Sequence, residues 1–163
     1  MSQPLPTAIL GRTGLRVTRL GHGAAHRKPM DDRQRSVILN AVLDAGINLI
    51  DTAISYGNSE ELIARFIGHR RDEFYIATKG NVWTKQGITD SLHRSLRRLK
   101  VDYVDVMQLH GPSVDECEQG DLVEALQEMR RQGKVRWIGV CTNLPNLPAY
   151  VRWGVFDVFQ IPY

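Results

Sequence analysis

Three observations predict an α/β fold built on a parallel sheet. Short apolar runs alternate with amphipathic helical stretches along most of the chain, glycines stand where helical stretches give way to the next run (Gly46, Gly133), and several runs end on their C-terminal side in a polar or ionisable residue. Regular βα alternation with right-handed crossovers gives a parallel sheet, either open and doubly wound or closed as a barrel, and excludes helical repeats and all-β folds.

The elements follow in order. Thr7-Ala8-Ile9-Leu10 and Leu15-Arg16-Val17 flank Gly11-Arg12-Thr13-Gly14, which reads as a hairpin. The strands of the main sheet are expected at Val17 to Leu20, Asn48 to Thr52, Phe74 to Thr78, Val104 to Leu109, Trp137 to Cys141 and Val158 to Ile161. Helices are expected at Asp32 to Ala45, Ser59 to Ile67, Thr89 to Leu99, Leu122 to Gln132 and, shorter, near Leu147 to Trp153. In the first, Val37, Ile38, Ala41, Val42 and Ala45 recur at helical spacing, and Asp31 or Asp32 can cap it. In the third, Ile88, Leu92, Leu96 and Leu99 form one stripe, with Thr89 or Asp90 as cap. Gly46 and Gly133 suit helix ends that turn through positive φ.

The 163 residues form a single domain with a real core. The net charge is +3 from 21 Lys+Arg and 18 Asp+Glu, and the basic residues come as scattered pairs such as Arg70-Arg71 and Arg97-Arg98. That pattern marks solvated helix ends and not a nucleic-acid footprint. Cys117 and Cys141 lack the spacing of a zinc site or a disulfide framework. No run approaches a signal peptide or a bilayer span, so the expected setting is cytoplasmic, with no membrane partner.

A dinucleotide-binding reading would want G-x-G-x-x-G after the first strand. Gly21-His22-Gly23-Ala24-Ala25-His26 lacks the third glycine, and no acid ends a second strand in the ribose-binding context. The polar strand ends say more. They are Asp51-Thr52, Thr78-Lys79, Gln108-Leu109-His110, Cys141-Thr142-Asn143 and Gln160. In a closed βα barrel these ends share the face that holds the active site. Singly, Asp51 could cap a turn, Tyr56 could be a surface aromatic and Lys79 could be solvated; it is their convergence that points to a site. His22, His26, His69 and His93 have no such company.

The set suits one kind of chemistry. A phenol titrates near pH ~10 and donates its proton poorly at neutral pH unless something stabilises the phenolate. Lys79 offers an ammonium for that, Asp51 a counter-charge for the ammonium, and His110 a donor to orient a carbonyl. Together they would protonate an oxygen on which negative charge develops.

These residues resemble the aldo-keto reductases along nearly all of the chain. GRTGLRVTRLGHG is similar to that family's opening, DTAISYGNSEELIARFI to its segment around the catalytic Asp and Tyr, and ATKGNVW to its lysine strand. SLHRSLRRLKVDYVDVMQLHG resembles the run to the catalytic histidine, GKVRWIGVCTN the fifth strand and VFQIPY the sixth. The resemblance implies a (β/α)8 TIM-type barrel that reduces aldehydes or ketones with NADPH by direct hydride transfer, without metal. It makes Tyr56 the general acid, tuned by Lys79 and Asp51, with His110 orienting the substrate carbonyl. Gly23, Ala24 and Asp51 would border the cofactor, and Gln160 would hold its carboxamide. Trp83 either lines the substrate pocket or is a packed loop aromatic. Where the family has Ser-Asn after Gly-Val, this chain has Cys141-Thr142-Asn143, so Thr142 stands in the place of the carboxamide-binding Asn unless a bulge brings Asn143 there.

Such a barrel takes about 250 residues, whereas six strands and a hairpin are counted before Tyr163. The expectation is therefore an incomplete barrel, truncated at its C-terminus, that by itself binds NADPH poorly and turns over little or nothing. Its open sheet edges could instead pair with another chain, making it an interaction module.

Overall fold

The computed structural model describes residues 4–25 and 30–162; His26 and Tyr163 lie outside the described residues. Two strands, β1 (Thr7–Ile9) and β2 (Arg16–Thr18), form an antiparallel hairpin. The main sheet holds β3 (His22–Gly23), β4 (Leu49–Asp51), β5 (Tyr75–Gly80), β6 (Val104–His110), β7 (Val135–Cys141) and β8 (Val158–Gln160), all parallel and in sequence order. The crossovers carry α1 (Asp32–Asp44), α2 (Ser59–Ile67) with a 3-10 continuation at Gly68–Glu73, α3 (Lys85–Leu99), α4 (Val114–Gln119), α5 (Leu122–Arg131) and α6 (Leu147–Trp153). Six parallel strands in consecutive order curl into a half-barrel, as the α/β reading expected.

The strands pack on both faces, which is why they read as continuous apolar runs. The outer face, with Ile50, Ile76, Met107, Leu109, Ile138 and Val140, joins the main core under the helices. The concave face alternates with period two and stacks in layers, as barrel interiors do. Ala77, Val106 and Val158 make a lower apolar layer with Leu49 and Trp137. Two residues further along, Asp51, Gln108 and Gln160 line a cavity of about 150 Å³ above it.

The lower end of the sheet is held by side-chain oxygens that accept from backbone N–H groups. Asn48 accepts from Thr18, Asp105 from Ile76 and Asp157 from Ile138. Arg71 and Arg136 pair with buried Asp105, and Arg130 with Asp157. The hairpin closes this end. Arg12 donates to the carbonyls of Gly154 and Phe156, each at 2.7 Å, and Gly11 has φ +51° with an added Cβ falling 2.1 Å from the Asp157 carbonyl. Only glycine fits there.

Four expectations need correction. The first strand of the main sheet is His22–Gly23 and not Val17 to Leu20, because Thr18 N–H is taken by Asn48 and Arg19 N–H by Pro6. The third helix starts at Lys85, capped by Thr84 accepting from Gly87 N–H, and not near Thr89. The buried face of α1 is Leu39 and Leu43, while Val37 is 61% exposed. Finally, α4 was not expected; a reciprocal Ser113–Glu116 cap starts it. Among the described residues no helix is long and apolar enough to cross a membrane.

Candidate active site

The upper ends of β4, β5 and β6 and the turn after β4 build the site. Beyond Asp51 the chain keeps to the β5 ladder, with Thr52 N–H on the Ala77 carbonyl and Ile54 N–H on the Lys79 carbonyl. It then turns through Tyr56 N–H on the Ala53 carbonyl, and Gly57 takes φ +60°. The turn lifts Tyr56 over the end of the lysine strand.

Lys79 is 1% exposed. Its ammonium donates to both Asp51 oxygens, at 2.7 and 2.6 Å, and to the Thr52 carbonyl at 2.9 Å. An ammonium has three protons, so all are used. Its nitrogen lies 5.1 Å from the centre of the Tyr56 ring. Lys79 therefore reaches Tyr56 through its field and not by a hydrogen bond. Among the described residues the Tyr56 hydroxyl has no hydrogen-bond partner, which leaves it open to a ligand.

His110 meets Tyr56 edge-on, with ring centres 5.8 Å apart and planes at 83°. Burial, then the Lys79 ammonium, holds its pKa below the ordinary 6.5, while Asp51 opposes the shift. The imidazole is neutral at pH 7 and can donate one N–H. Asp51 also receives the side-chain amides of Gln108 at 3.5 Å and Gln160 at 3.4 Å, and the outer oxygen of each amide is buried without a protein partner. The arrangement sets a phenol and a neutral imidazole beside a buried ion pair.

Residues 19–148, which contain all four of these side chains, match the model of the Aldo/keto reductase family. The chain belongs to the aldo/keto reductase family. It is 32% identical to the "Uncharacterized oxidoreductase YqkF" of Bacillus subtilis over 88% of this chain and 51% of that protein. It is 30% identical to the "NADH-specific methylglyoxal reductase" of Escherichia coli, over 98% of this chain and 58% of that one. Among solved structures, the aldo-keto reductase AKR11C1 from Bacillus halodurans in its holo form superposes with a TM-score of 0.87 at 28% identity, over 98% of this chain and 58% of that chain. The chain thus spans about half the length of the curated relatives it matches.

The remaining positions expected of an aldo/keto reductase divide. Gly23 pairs with Asp51 in register, and Ala24 N–H donates to the Asp51 carbonyl at 2.8 Å, so both border the site. His110, Cys141 and Gln160 share one register across β6, β7 and β8. Burial raises the Cys141 thiol above its usual pKa, with Asp51 adding and Lys79 opposing, so it stays protonated. The register of β7 runs without a bulge to Cys141, which leaves Thr142 buried beside β8 and Asn143 exposed. Trp83 is half-buried and packs against the main core. Sequence reasoning named Thr78 as a strand end and passed over Glu60, which accepts from Thr78 Oγ1, and Arg98, which donates to the Ile54 and Gly57 carbonyls beside Tyr56; a glutamate in the first turn of a helix, right after the turn that carries Tyr56, was the available signal.

Proposed function

We propose that this chain carries the proton-donating and substrate-orienting part of a nicotinamide-dependent carbonyl reductase, acting on aldehydes or ketones with NADPH. The observation that supports it most is the buried Lys79–Asp51 pair set under Tyr56 with neutral His110 alongside. The His110 N–H fixes the direction of a carbonyl oxygen, and Tyr56 delivers its hydroxyl proton to that oxygen as negative charge grows there. Lys79 stabilises the phenolate left behind, and Asp51 keeps Lys79 charged despite its burial. A bound nicotinamide would supply the hydride.

The residues present fit that group. The unpartnered, buried oxygen of Gln160 suits a carboxamide N–H, with Thr142 and Cys141 beside it in the adjoining strand and Gly23 and Ala24 at the other side of Asp51. The NADPH preference is put to the test against NADH, since one relative is named NADH-specific. The experiment measures carbonyl-dependent oxidation of each cofactor by the purified chain, using methylglyoxal and a panel of aldehydes. Turnover should fall about 100-fold or more in Tyr56→Phe with cofactor affinity within twofold. Equal loss of turnover and cofactor affinity, or turnover in Tyr56→Phe within twofold of wild type, would count against the reading.

A second reading has its own observation. Among the described residues β3 and β8 each have a single neighbour in the sheet, and Leu20 and Ile161, close to those edges, are 59% and 52% exposed. We infer that these edges can pair with another copy of the chain. A discrete dimer in sedimentation supports pairing; a monomer sinks it.

A further inference from the structure

We infer that Glu60 and Arg98, which lie outside the reacting group of side chains, are positioning residues for Tyr56. This rests on the reading of Tyr56 as the proton donor.

Glu60 is a fully buried carboxylate, 0% exposed, in the first turn of α2. One oxygen accepts from Thr78 Oγ1 at 2.7 Å, and Thr78 directly precedes Lys79 on β5. The other oxygen has no hydrogen bond and faces Arg98 Nη1 at 3.7 Å. Arg98, on α3, also donates from Nη1 to the carbonyls of Ile54 at 3.2 Å and Gly57 at 3.5 Å, and its Nε pairs with Glu61 at 3.1 Å. Ile54 and Gly57 flank Tyr56. One guanidinium therefore holds both shoulders of the turn that carries the phenol, and one buried carboxylate ties that guanidinium to the strand that carries the ammonium.

The physical reason for this design lies in the missing direct bond. Lys79 has no free proton for the Tyr56 hydroxyl, so its effect depends on distance alone. The turn over residues 54–58, with Gly57 at φ +60°, does not fix that distance by itself. Ser59, bonded to Thr52 Oγ1 at 3.0 Å and the Ala24 carbonyl at 3.1 Å, anchors only the far end. On the near side the Ile54 N–H bonds the Lys79 carbonyl at 3.1 Å, and Arg98 adds a restraint across the turn itself by holding the Ile54 and Gly57 carbonyls on either side of Tyr56.

The test compares Arg98→Ala, Arg98→Lys and Glu60→Gln with Arg97→Ala, an exposed arginine on the same helix. It reads two things: the nuclear Overhauser contact between the Tyr56 and His110 rings with amide exchange at Tyr56 and Ser59, and kcat against KM for the carbonyl. Arg98→Ala should lose most of the ring contact and exchange at least tenfold faster at these amides, beyond any change at the core strand amides, and its thermal midpoint should fall below that of Arg97→Ala because Glu60 is left buried without its cation. Its kcat should drop about tenfold or more with KM within twofold, and Arg98→Lys should recover part of each. Glu60→Gln, which keeps the acceptor for Thr78, should lose less. Should Arg98→Ala fail to fold, Arg98→Gln replaces it. Ring contact and amide exchange unchanged in the Arg98 variants overturn the inference, whatever the turnover does. Loss of the ring contact with kcat unchanged leaves the bridge standing and defeats the reading of Tyr56 as the proton donor instead.

Discussion

Lys79 and Asp51 differ in how well each can stand alone. Lys79 is 1% exposed, whereas Asp51 keeps 20% of its side chain in solvent and two amide donors. Removing the carboxylate with Asp51→Ala strands a buried ammonium and should cost about 3 kcal/mol in urea unfolding. Lys79→Met should cost at least about 1 kcal/mol less, because the remaining charge is solvated; the opposite order would place the burden on the carboxylate. His110 makes a separate prediction. Its folded pKa lies below 6.5, so as pH falls the unfolded chain takes up the proton first. Stability contributed at this site is full above the unfolded pKa, declines as pH drops through it toward the folded value, and is flat below. A proton NMR titration of the His110 ring should show a midpoint under 6.5, and one at or above that value would contradict the burial argument. These four side chains were legible because each ends or follows a strand, and a strand end is readable without knowing the register. The Glu60–Arg98 bridge was not, since it depends on which faces of α2 and α3 meet.

At the scale of elements, caps and buried faces decide where helices lie. Thr84→Ala removes the side chain that accepts from Gly87 N–H and should cost about 1 kcal/mol by thermal unfolding. Thr89→Ala should change stability by only a few tenths, since Thr89 Oγ1 bonds back to the Lys85 carbonyl inside the helix. Gly87 stands in the first turn of that helix. It is required there because a Cβ would meet Val82 Cγ1 at 2.2 Å. Five strands showed as apolar runs because both faces of the sheet are covered. β3 could not, being two residues whose apolar content is nil, and α4 is too short for any periodicity to register. In α1 the stripe Val37, Ile38, Ala41, Val42 and Ala45 lies beside the face that Leu39 and Leu43 bury.

At the scale of the whole molecule, the hairpin joins parts of the chain that are farthest apart in sequence. The two Arg12 bonds span 142 and 144 residues, to the segment between α6 and β8. Such a contact forms only when the last strand is already seated, because closing so long a loop is costly before other contacts hold its ends. The hairpin is therefore expected to act late in folding and early in unfolding, as a latch on the finished sheet. Arg12→Ala should lower stability by about 2 kcal/mol, and almost all of that should appear as unfolding roughly 30-fold faster, with the refolding rate nearly unchanged. Stopped-flow measurement of both limbs separates the two; slowed refolding would place the hairpin in the nucleus. The seat that Gly11 leaves for the Asp157 carbonyl then has a meaning in time as well as in space: it sets how long the assembled sheet persists, and not how quickly it is reached.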